Sequence, residues 1–255
     1  MGHWFVSLSA MDVMWVGVLY FAALYLLTGT LGLLLTGTLL PALRIGRTLD
    51  PRPLPPGQVR REILQSLVSV LIFGVGLVVP WGLLRLGWAH LAVDPHPLRV
   101  AVEIAVLFVW NELHFYVNHR LLHWRPLRRF HAAHHRSHVA THFSTYAFHP
   151  VEAVMLGSVP LIPMLLHDFS FAALATLPVL SIALNNLGHS NYEMSRHAPA
   201  RGWLGASRRH HLHHACYHGN YGFLLSMFDR WFGTALPLDA ADARIAGAQR
   251  DRAAR

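Results

Sequence analysis

Histidine is the residue whose number and spacing stand out in this sequence. The chain has 255 residues and 20 histidines, and fifteen of these histidines fall within residues 119–149 and 189–218. Three motifs repeat a helical spacing: His119-x-x-x-His123, His131-x-x-His134-His135 and His210-x-x-His213-His214. Positions i, i+3 and i+4 lie on one face of an α-helix, so we expect each motif to direct its imidazoles to one point. Because neutral imidazole is a good ligand for iron, zinc or copper, the motifs predict a metal centre.

The scarcity of metal-ligating residues other than histidine restricts which type of metal centre the sequence predicts. The three motifs supply eight imidazoles, which is too many for one octahedral ion and suits two ions with coordination positions left open. Residues 119–149 contain no Asp or Glu, and no Glu of the chain's helices precedes a histidine by three, so the ferritin-like carboxylate pattern is absent. Cys216 is the single cysteine, which excludes a cysteine-based zinc site. The sequence therefore predicts a histidine-rich dimetal site.

The composition indicates where these histidines are held. Hydrophobic residues make up 53% of the chain and charged residues 13%, about half the charged share of a soluble protein. The 21 basic residues are all arginine and lie between long apolar segments, whereas nucleic-acid-binding proteins carry dense basic stripes on polar domains. We therefore expect an integral membrane protein with no nucleic-acid partner. A lysine-free chain rich in Ala, Arg and Leu is typical of a GC-rich bacterial genome, which favours a bacterial inner membrane.

The apolar segments predict an all-α membrane bundle of about four to five segments. About 20 apolar residues span the hydrocarbon core. The predicted segments are residues 11–40, 63–84, 98–118, 151–166 and 169–187, the last two forming a hairpin. The expected organisation is an N-terminal part with anchor helices and a Pro/Arg-rich loop (1–97), a catalytic domain (98–236) and a disordered tail (237–255). The histidines then form a helical cap that holds the dimetal site.

The arginines predict the orientation of the bundle. Five follow the first segment, five follow the third and nine lie in the C-terminal region, whereas the opposite side has only Arg85 and Arg99. Cytoplasmic loops carry the excess of positive charge in membrane proteins. The rule places the N-terminus outside, and the histidine motifs and the C-terminus in the cytoplasm.

The three motifs and their flanks resemble one family. His119–His123, His131–His135 and His210–His214 are similar to the three histidine boxes of the fatty-acid hydroxylase and sterol desaturase superfamily, and the sterol-desaturase branch is the nearer one. The flanking stretches that agree are Phe115–Tyr116, His149–Pro150–Val151–Glu152, Gly188–His189–Ser190–Asn191, Asn220–Tyr221–Gly222 and Phe228–Asp229–Arg230–Trp231–Phe232–Gly233–Thr234. The similarity covers about residues 112–234.

The resemblance implies a function. It implies two iron ions, dioxygen as the oxidant, and hydroxylation or desaturation of a lipid from the bilayer, such as a fatty-acyl chain, a sterol-like ring or another isoprenoid. Electrons would come from a separate redox protein or reductase, which fits the lack of a flavin or nicotinamide fingerprint. It also implies that His189 is a further metal ligand. The catalytic residues are then the metal ligands themselves.

Five other residues are candidates for supporting the ligands. Glu112 lies on the helix face of His119 and could orient a ligand, or it could be a membrane-surface carboxylate paired with an arginine. Asn185 could hold a ligand water or cap a helix. His149, in the His-Pro-x-Glu stretch, is a third candidate, and His211 and His218, which flank the last motif, complete the set. His138 and His142 are expected to be solvated.

Two other classes of protein share some of these features. A histidine-rich metal transporter is the alternative function, but transporters place their ligands near the bilayer midplane and these motifs fall at helix ends. A membrane b-type cytochrome needs paired histidines within its spans, and His114 alone lies inside one, near its end.

Overall fold

The computed structural model describes residues 2–195 and 202–237, and this part of the chain is mostly helical, with almost no strand. The α-helices, in chain order, are α1 (Gly2–Ser7), α2 (Ala10–Leu34), α3 (Leu40–Ala42), α4 (Gln58–Gly76), α5 (Val78–Arg85), α6 (Pro97–Leu122), α7 (Arg128–His131), α8 (Pro150–Gly157), α9 (Leu161–Leu166), α10 (Phe171–Gly188), α11 (Ala206–Cys216) and α12 (Met227–Trp231). A π-helical turn, Leu35–Leu39, joins α2 to α3. The 3₁₀ turns are His134–Arg136, His142–Tyr146 and Gly202–Gly205.

Four helical stretches are long and apolar enough to cross a membrane. They are Ala10–Ala42, Gln58–Arg85, Pro97–Leu122 and Phe171–Gly188. The all-α membrane bundle predicted from the sequence is thereby confirmed. The predicted segment at residues 151–166 consists of two short helices, α8 and α9, because Pro160 and Pro163 lack the N–H that a continuous helix requires. The predicted tail lies almost wholly outside the described residues.

The first two membrane stretches are in direct backbone contact. A Cβ atom added to Gly17 of α2 would lie 2.4 Å from the carbonyl oxygen of Gly74 in α4. Such close approach is available only to glycine, and small residues at helix interfaces are a usual means of packing helices in membranes. This contact brings α2 and α4 together beside the loop that precedes α8, where Phe21, Tyr25, Val70 and Tyr146 form one hydrophobic core.

A short antiparallel strand pair fixes the chain at the histidine-rich end. Strand β1 (Arg47–Thr48) follows the first membrane stretch and pairs with β2 (Tyr192–Glu193), which follows α10, with Arg47 opposite Glu193. The buried Glu193 carboxylate accepts from Arg47 at 3.0 Å and from Arg208 of α11 at 3.1 Å. These contacts hold the start of α11 against the ends of the membrane helices.

Candidate metal centre

The nine histidines predicted to bind metal converge at one end of the bundle in two adjacent groups. What we term the first cluster consists of His119, His123, His131, His135 and His213, and the second cluster consists of His134, His189, His210 and His214. Within each cluster, one ring nitrogen from every histidine lies within 4.8 Å of the others. The rings of His131 and His134 stack across the two clusters at 5.2 Å. Each cluster could therefore hold one metal ion, and the two ions would be neighbours.

Helix α6 delivers two ligands of the first cluster from its C-terminal turn. His119 and His123 lie four positions apart, so they share a helix face, and His123 caps the helix. His119 Nε2 lies 3.1 Å from His131 Nε2, and His123 Nε2 lies 3.2 Å from His213 Nε2. Here the helical spacing of the sequence motif acts as predicted.

The middle motif does not lie on one regular helix, which corrects the sequence-based expectation. His131 ends the four-residue helix α7, and His134 and His135 lie in a separate 3₁₀ turn. Because a 3₁₀ turn winds more tightly than an α-helix, successive side chains point farther apart. His131 and His135 consequently reach the first cluster, while His134 reaches the second.

The third motif is helical, but its imidazoles do not meet at one point either. His210 and His214 of α11 join the second cluster, whereas His213 joins the first. Consecutive residues of an α-helix are about 100° apart around the axis, so His213 and His214 point in different directions. His213 Nε2 lies 3.0 Å from His135 Nε2, and His214 Nε2 lies 3.1 Å from His210 Nε2. Helix α11 therefore lies between the two clusters and supplies both.

His189 follows directly after the end of α10. Its Nε2 lies 3.1 Å from His134 Nε2 and 3.0 Å from His210 Nε2, in the middle of the second cluster. The resemblance had suggested His189 as a further ligand, and the fold places it where that role requires.

Backbone carbonyl groups fix the proton position on three of the rings. Nδ1 of His119 lies 3.0 Å from the carbonyl oxygen of Tyr221, Nδ1 of His213 lies 2.7 Å from that of Gly219, and Nδ1 of His189 lies 2.8 Å from that of Asn185. A carbonyl oxygen can only accept, so each Nδ1 carries the proton. In the neutral ring the lone pair is then on Nε2, the atom that faces the cluster.

This arrangement tests whether the residues fit a metal ion. Because Nδ1 of His119 and Nδ1 of His213 carry the protons, both rings present Nε2 lone pairs to the first cluster, whose donor atoms lie within 4.8 Å of one another. Two lone pairs directed at the same point repel each other unless a cation lies between them. The donors therefore fit a metal cation better than a hydrogen-bonded pair.

Burial keeps these imidazoles in the form that binds metal. Desolvation lowers the pKa of His189 to about 4 and that of His213 to about 3, since a buried imidazolium loses its hydration. The same cause lowers the pKa of the half-buried His123 to about 4. The ring nitrogens that face the clusters consequently remain unprotonated at neutral pH and are free to coordinate a metal ion.

Glu152 is the supporting residue that sequence reasoning missed. It lies in the first turn of α8, is buried, and accepts from His131 Nδ1 through Oε1. A carboxylate behind a ligating imidazole fixes its orientation and raises its basicity. The signal was present in the His149–Pro150–Val151–Glu152 stretch, where the histidine in fact caps α8 by accepting from Val151 N–H at 3.2 Å.

Glu112 does not contact a ligand histidine, contrary to one expectation. Its two carboxylate oxygens accept the backbone N–H groups of Leu224 and Leu225 at 3.0 and 2.8 Å. Asp229 likewise accepts the backbone N–H groups of Tyr221 and Gly222, both at 2.8 Å. The two carboxylates hold residues 219–225, the loop whose carbonyl groups orient His119 and His213.

The remaining candidates have other contacts. Asn185 orients His189 through its backbone carbonyl, while its side chain donates to the Thr145 carbonyl at 2.7 Å. His211 is buried with Nε2 3.8 Å from an Asp50 oxygen, and His218 is exposed and contacts the Cys216 carbonyl. Neither ring joins the two clusters.

His142 is buried, so the expectation that it is solvated was wrong, whereas His138 is exposed as expected. The ring nitrogens of His142 contact Asn186 Oδ1 and Thr36 Oγ1, both at 2.8 Å. This histidine joins the 3₁₀ turn to two membrane helices. Its sequence position next to the second motif gave no indication of that, because both partners are distant in sequence.

A large apolar cavity adjoins both clusters. Its volume is about 570 Å³, and no Asp, Glu, Lys or Arg of the described residues lines it. Phe115, Phe148 and Asn185 belong to its wall. The Phe115 ring lies 5.0 Å from that of His119, and the Phe148 ring lies 5.2 Å from that of His134. The cavity therefore gives an apolar molecule access to the wall behind each cluster.

Comparison with known proteins identifies the family. The fatty acid hydroxylase family matches residues 104–234, which include every histidine of the two clusters. The chain belongs to this family. No solved structure gives a significant match.

The relatives of this chain include sterol-modifying proteins of fungi and mammals. The chain is 31% identical over 188 residues to the Delta(7)-sterol 5(6)-desaturase of Eremothecium gossypii, covering 69% of this chain and 51% of the relative. It is 32% identical to the Delta(7)-sterol 5(6)-desaturase of Candida glabrata, with 62% and 44% covered. The lathosterol oxidase of Homo sapiens is 29% identical, with 69% and 61% covered. The chain thus spans about half the length of the first two relatives.

Proposed function

We propose that this protein is a membrane-bound di-iron oxygenase that hydroxylates or desaturates a lipid. Dioxygen is the oxidant, and a separate redox protein or reductase supplies the electrons. The bundle lies in a bacterial inner membrane with both clusters on the cytoplasmic side. The names of the relatives favour a sterol-like or other isoprenoid lipid, and a fatty-acyl chain is the other class that the cavity suits.

One observation carries the proposal: two histidine clusters adjoin an uncharged cavity within a membrane bundle. A cavity without charged walls binds an apolar molecule, and its openings among membrane helices suit a molecule that arrives from the bilayer. The clusters lie at the ends of α6 and α10. A transporter, in contrast, holds its ions near the middle of its membrane spans. The arrangement therefore supports chemistry on a lipid in preference to ion passage.

The chain's own residues would perform four tasks. The nine imidazoles hold the metal ions, and Glu152 and the 219–221 carbonyl groups orient three of the rings. Phe115 and Phe148 place the lipid beside the clusters and exclude water. Two bound iron ions would supply the activation of dioxygen that an unactivated C–H bond requires.

Elemental analysis of the detergent-purified protein tests this proposal. We expect about two iron ions per chain, and their loss in the His134→Ala, His213→Ala double variant, which removes one ligand from each cluster. The matched control is the His138→Ala, His218→Ala double variant, since both residues are exposed and lie outside the clusters. Iron-loaded protein should then convert lipids only with dioxygen and a reductase.

Two results would count against the assignment. Metal content that is unchanged in the His134→Ala, His213→Ala variant would mean that the clusters do not hold the metal. A single ion that crosses vesicle membranes, with no lipid oxidised, would favour the transporter instead.

A further inference from the structure

A buried amide without a partner lines the cavity. Asn111 of α6 is 2% exposed, belongs to the cavity wall, and its Nδ2 has no hydrogen-bond partner among the described residues. The Asn111 side chain makes no other hydrogen bond or electrostatic contact with the described residues. An unpaired buried amide destabilises the folded state, and within a membrane bundle no bulk water compensates it. Such a group requires an explanation.

The neighbouring side chains make this part of the wall polar. His114, one helical turn after Asn111, and Ser158, at the end of α8, also line the cavity, and their side chains lie 3.2 Å apart. We refer to Asn111, His114 and Ser158 as the polar patch. The His114 ring is oriented by Asn118, whose Nδ2 lies 3.1 Å from His114 Nε2. The ring of His114 is therefore held in place by its neighbours, whereas Nδ2 of Asn111 has no hydrogen-bond partner among the described residues and is available to a ligand.

The depth of the patch restricts what that ligand is. Asn111 lies near the middle of α6 and eight residues before His119, which corresponds to about 12 Å along the helix axis. Lipid headgroups do not reach the middle of a spanning helix, because the hydrocarbon core is about 30 Å thick. A lipid in the cavity that carries a polar atom to this depth would supply the partner that Asn111 lacks.

The charge of the wall restricts the ligand further. No arginine or acidic residue of the described chain lines the cavity, so a carboxylate or phosphate would be buried without a counter-charge. A neutral oxygen has no such cost. The terminal torsion of asparagine is soft, so its amide can present either a donor or an acceptor to a hydroxyl or carbonyl group.

We propose that Asn111 binds a neutral hydroxyl or carbonyl oxygen of the lipid substrate and thereby determines which carbon reaches the metal clusters. This inference rests on the proposed function and adds the substrate's chemical class. The oxidised carbon should lie about 12 Å from that oxygen, the separation of Asn111 from His119 along α6. Asn111 is a specificity-determining residue, and it takes no part in the oxidation.

Binding of matched probes tests the proposal without turnover. The full chain in nanodiscs is titrated with hexadecanol, hexadecane and palmitate by competition against tritiated hexadecanol. For the wild type we expect the alcohol to bind about tenfold more tightly than the other two, the effect of one buried hydrogen bond. In Asn111→Leu the alcohol should lose this preference, while hexadecane binds unchanged.

A control variant and a stability measurement separate binding from folding. Thr176→Val removes a hydroxyl from α10 at a position that does not line the cavity, and it should leave the preference intact. Asn111→Leu should unfold at the same temperature as the ligand-free wild type or at a higher one, since it replaces an unpaired amide. A structural asparagine would give the opposite shift, and that result would overturn the proposal.

The outcomes distinguish this inference from the proposed function. If hexadecane binds as tightly as hexadecanol, or if Asn111→Leu keeps the wild-type preference, the patch does not bind lipid oxygen. If the preference is lost in Asn111→Leu but no lipid is oxidised by iron-loaded protein, the binding site stands and the oxygenase assignment fails. If both hold, Asn111→Leu should spread oxidation over several carbons.

Discussion

The two histidine clusters differ in how their rings are held. In the first cluster, His119 and His213 donate to backbone carbonyl groups, and His131 donates to Glu152. In the second cluster His189 has such an anchor, but Nδ1 of His134 and of His214 has no partner among the described residues, and the same holds for Nδ1 of His135 in the first cluster. Packing alone orients those three rings. Among the described contacts, hydrogen bonds to Nδ1 therefore fix three of the five rings in the first cluster and one of the four in the second.

This difference predicts unequal metal sites. Ligands fixed by hydrogen bonds lose less freedom when a metal binds, and groups behind the ligands typically change metal affinity 10- to 100-fold. We therefore expect the first cluster to bind metal more tightly than the second.

The largest expected effect comes from removing one ligand at a time. His119→Ala should eliminate the ion of the first cluster, and His189→Ala that of the second, so each variant should retain about one ion per chain. Cobalt(II) titration followed by visible absorption would measure the two sites separately. Loss of both ions in either variant would mean that the clusters form one cooperative site, and the comparison would no longer hold.

Acid should affect both clusters in the same pH range. Burial lowers the pKa of His123 in the first cluster and of His189 in the second to about 4, while an unfolded histidine titrates near 6.5. Between these values the unfolded chain binds more protons, so the free energy of unfolding of the metal-free protein should fall as the pH decreases, by about 1.4 kcal/mol per pH unit for each proton.

Denaturant titrations of the metal-free protein at several pH values would measure this dependence. A single smooth decline is expected, because burial is common to both clusters. Two separated steps would show that the clusters differ in electrostatics as well as in support.

Glu152 should affect the first cluster alone. Glu152→Leu leaves His131 Nδ1 without its acceptor and should lower the metal affinity of the first cluster about 10- to 100-fold. Glu152→Gln keeps a carbonyl oxygen that can accept, so its effect should be smaller. Cobalt titration would resolve both, and an equal loss in the second cluster would show that Glu152 acts through the fold.

Glu112 should have the smallest effect, because it acts through the loop. Glu112→Gln replaces one of the two acceptors that hold Leu224 and Leu225, and should weaken metal binding in the first cluster a few-fold. The matched control is Glu103→Gln on the same helix, since Glu103 accepts from Ser170 N–H at the opposite end of α6. Metal affinities identical to wild type in Glu112→Gln would mean that the loop holds its shape without this contact.

The fold and the ligand set were largely predictable from the sequence. Apolar length determines where membrane helices lie, and histidine spacing marks candidate ligands, so the four spanning stretches and eight of the nine histidines in the clusters were anticipated from pattern, whereas His189 was anticipated from the family resemblance. Both signals are local in sequence. The split of α8 from α9 was less apparent, although Pro160 and Pro163 carried the information.

The supporting contacts were less predictable, because their partners are far apart in the chain. Glu112 appeared suited to orient a ligand by its helix position, but its oxygens meet backbone N–H groups more than a hundred residues away. His142 appeared solvated by its neighbours in sequence, but it is buried between Thr36 and Asn186. Helical periodicity describes one element at a time and contains no information about what packs against it.

The sequence by itself determined that this chain has membrane helices and histidines able to bind metal, because hydrophobicity and residue spacing act within a single element. Only the tertiary structure decided how those histidines divide. His213 and His214 are adjacent in sequence but belong to different clusters, since α11 lies between two sets of partners supplied by α6, the 131–135 turn and the end of α10. The uncharged cavity and the unpaired Asn111 likewise exist only once these helices have packed together.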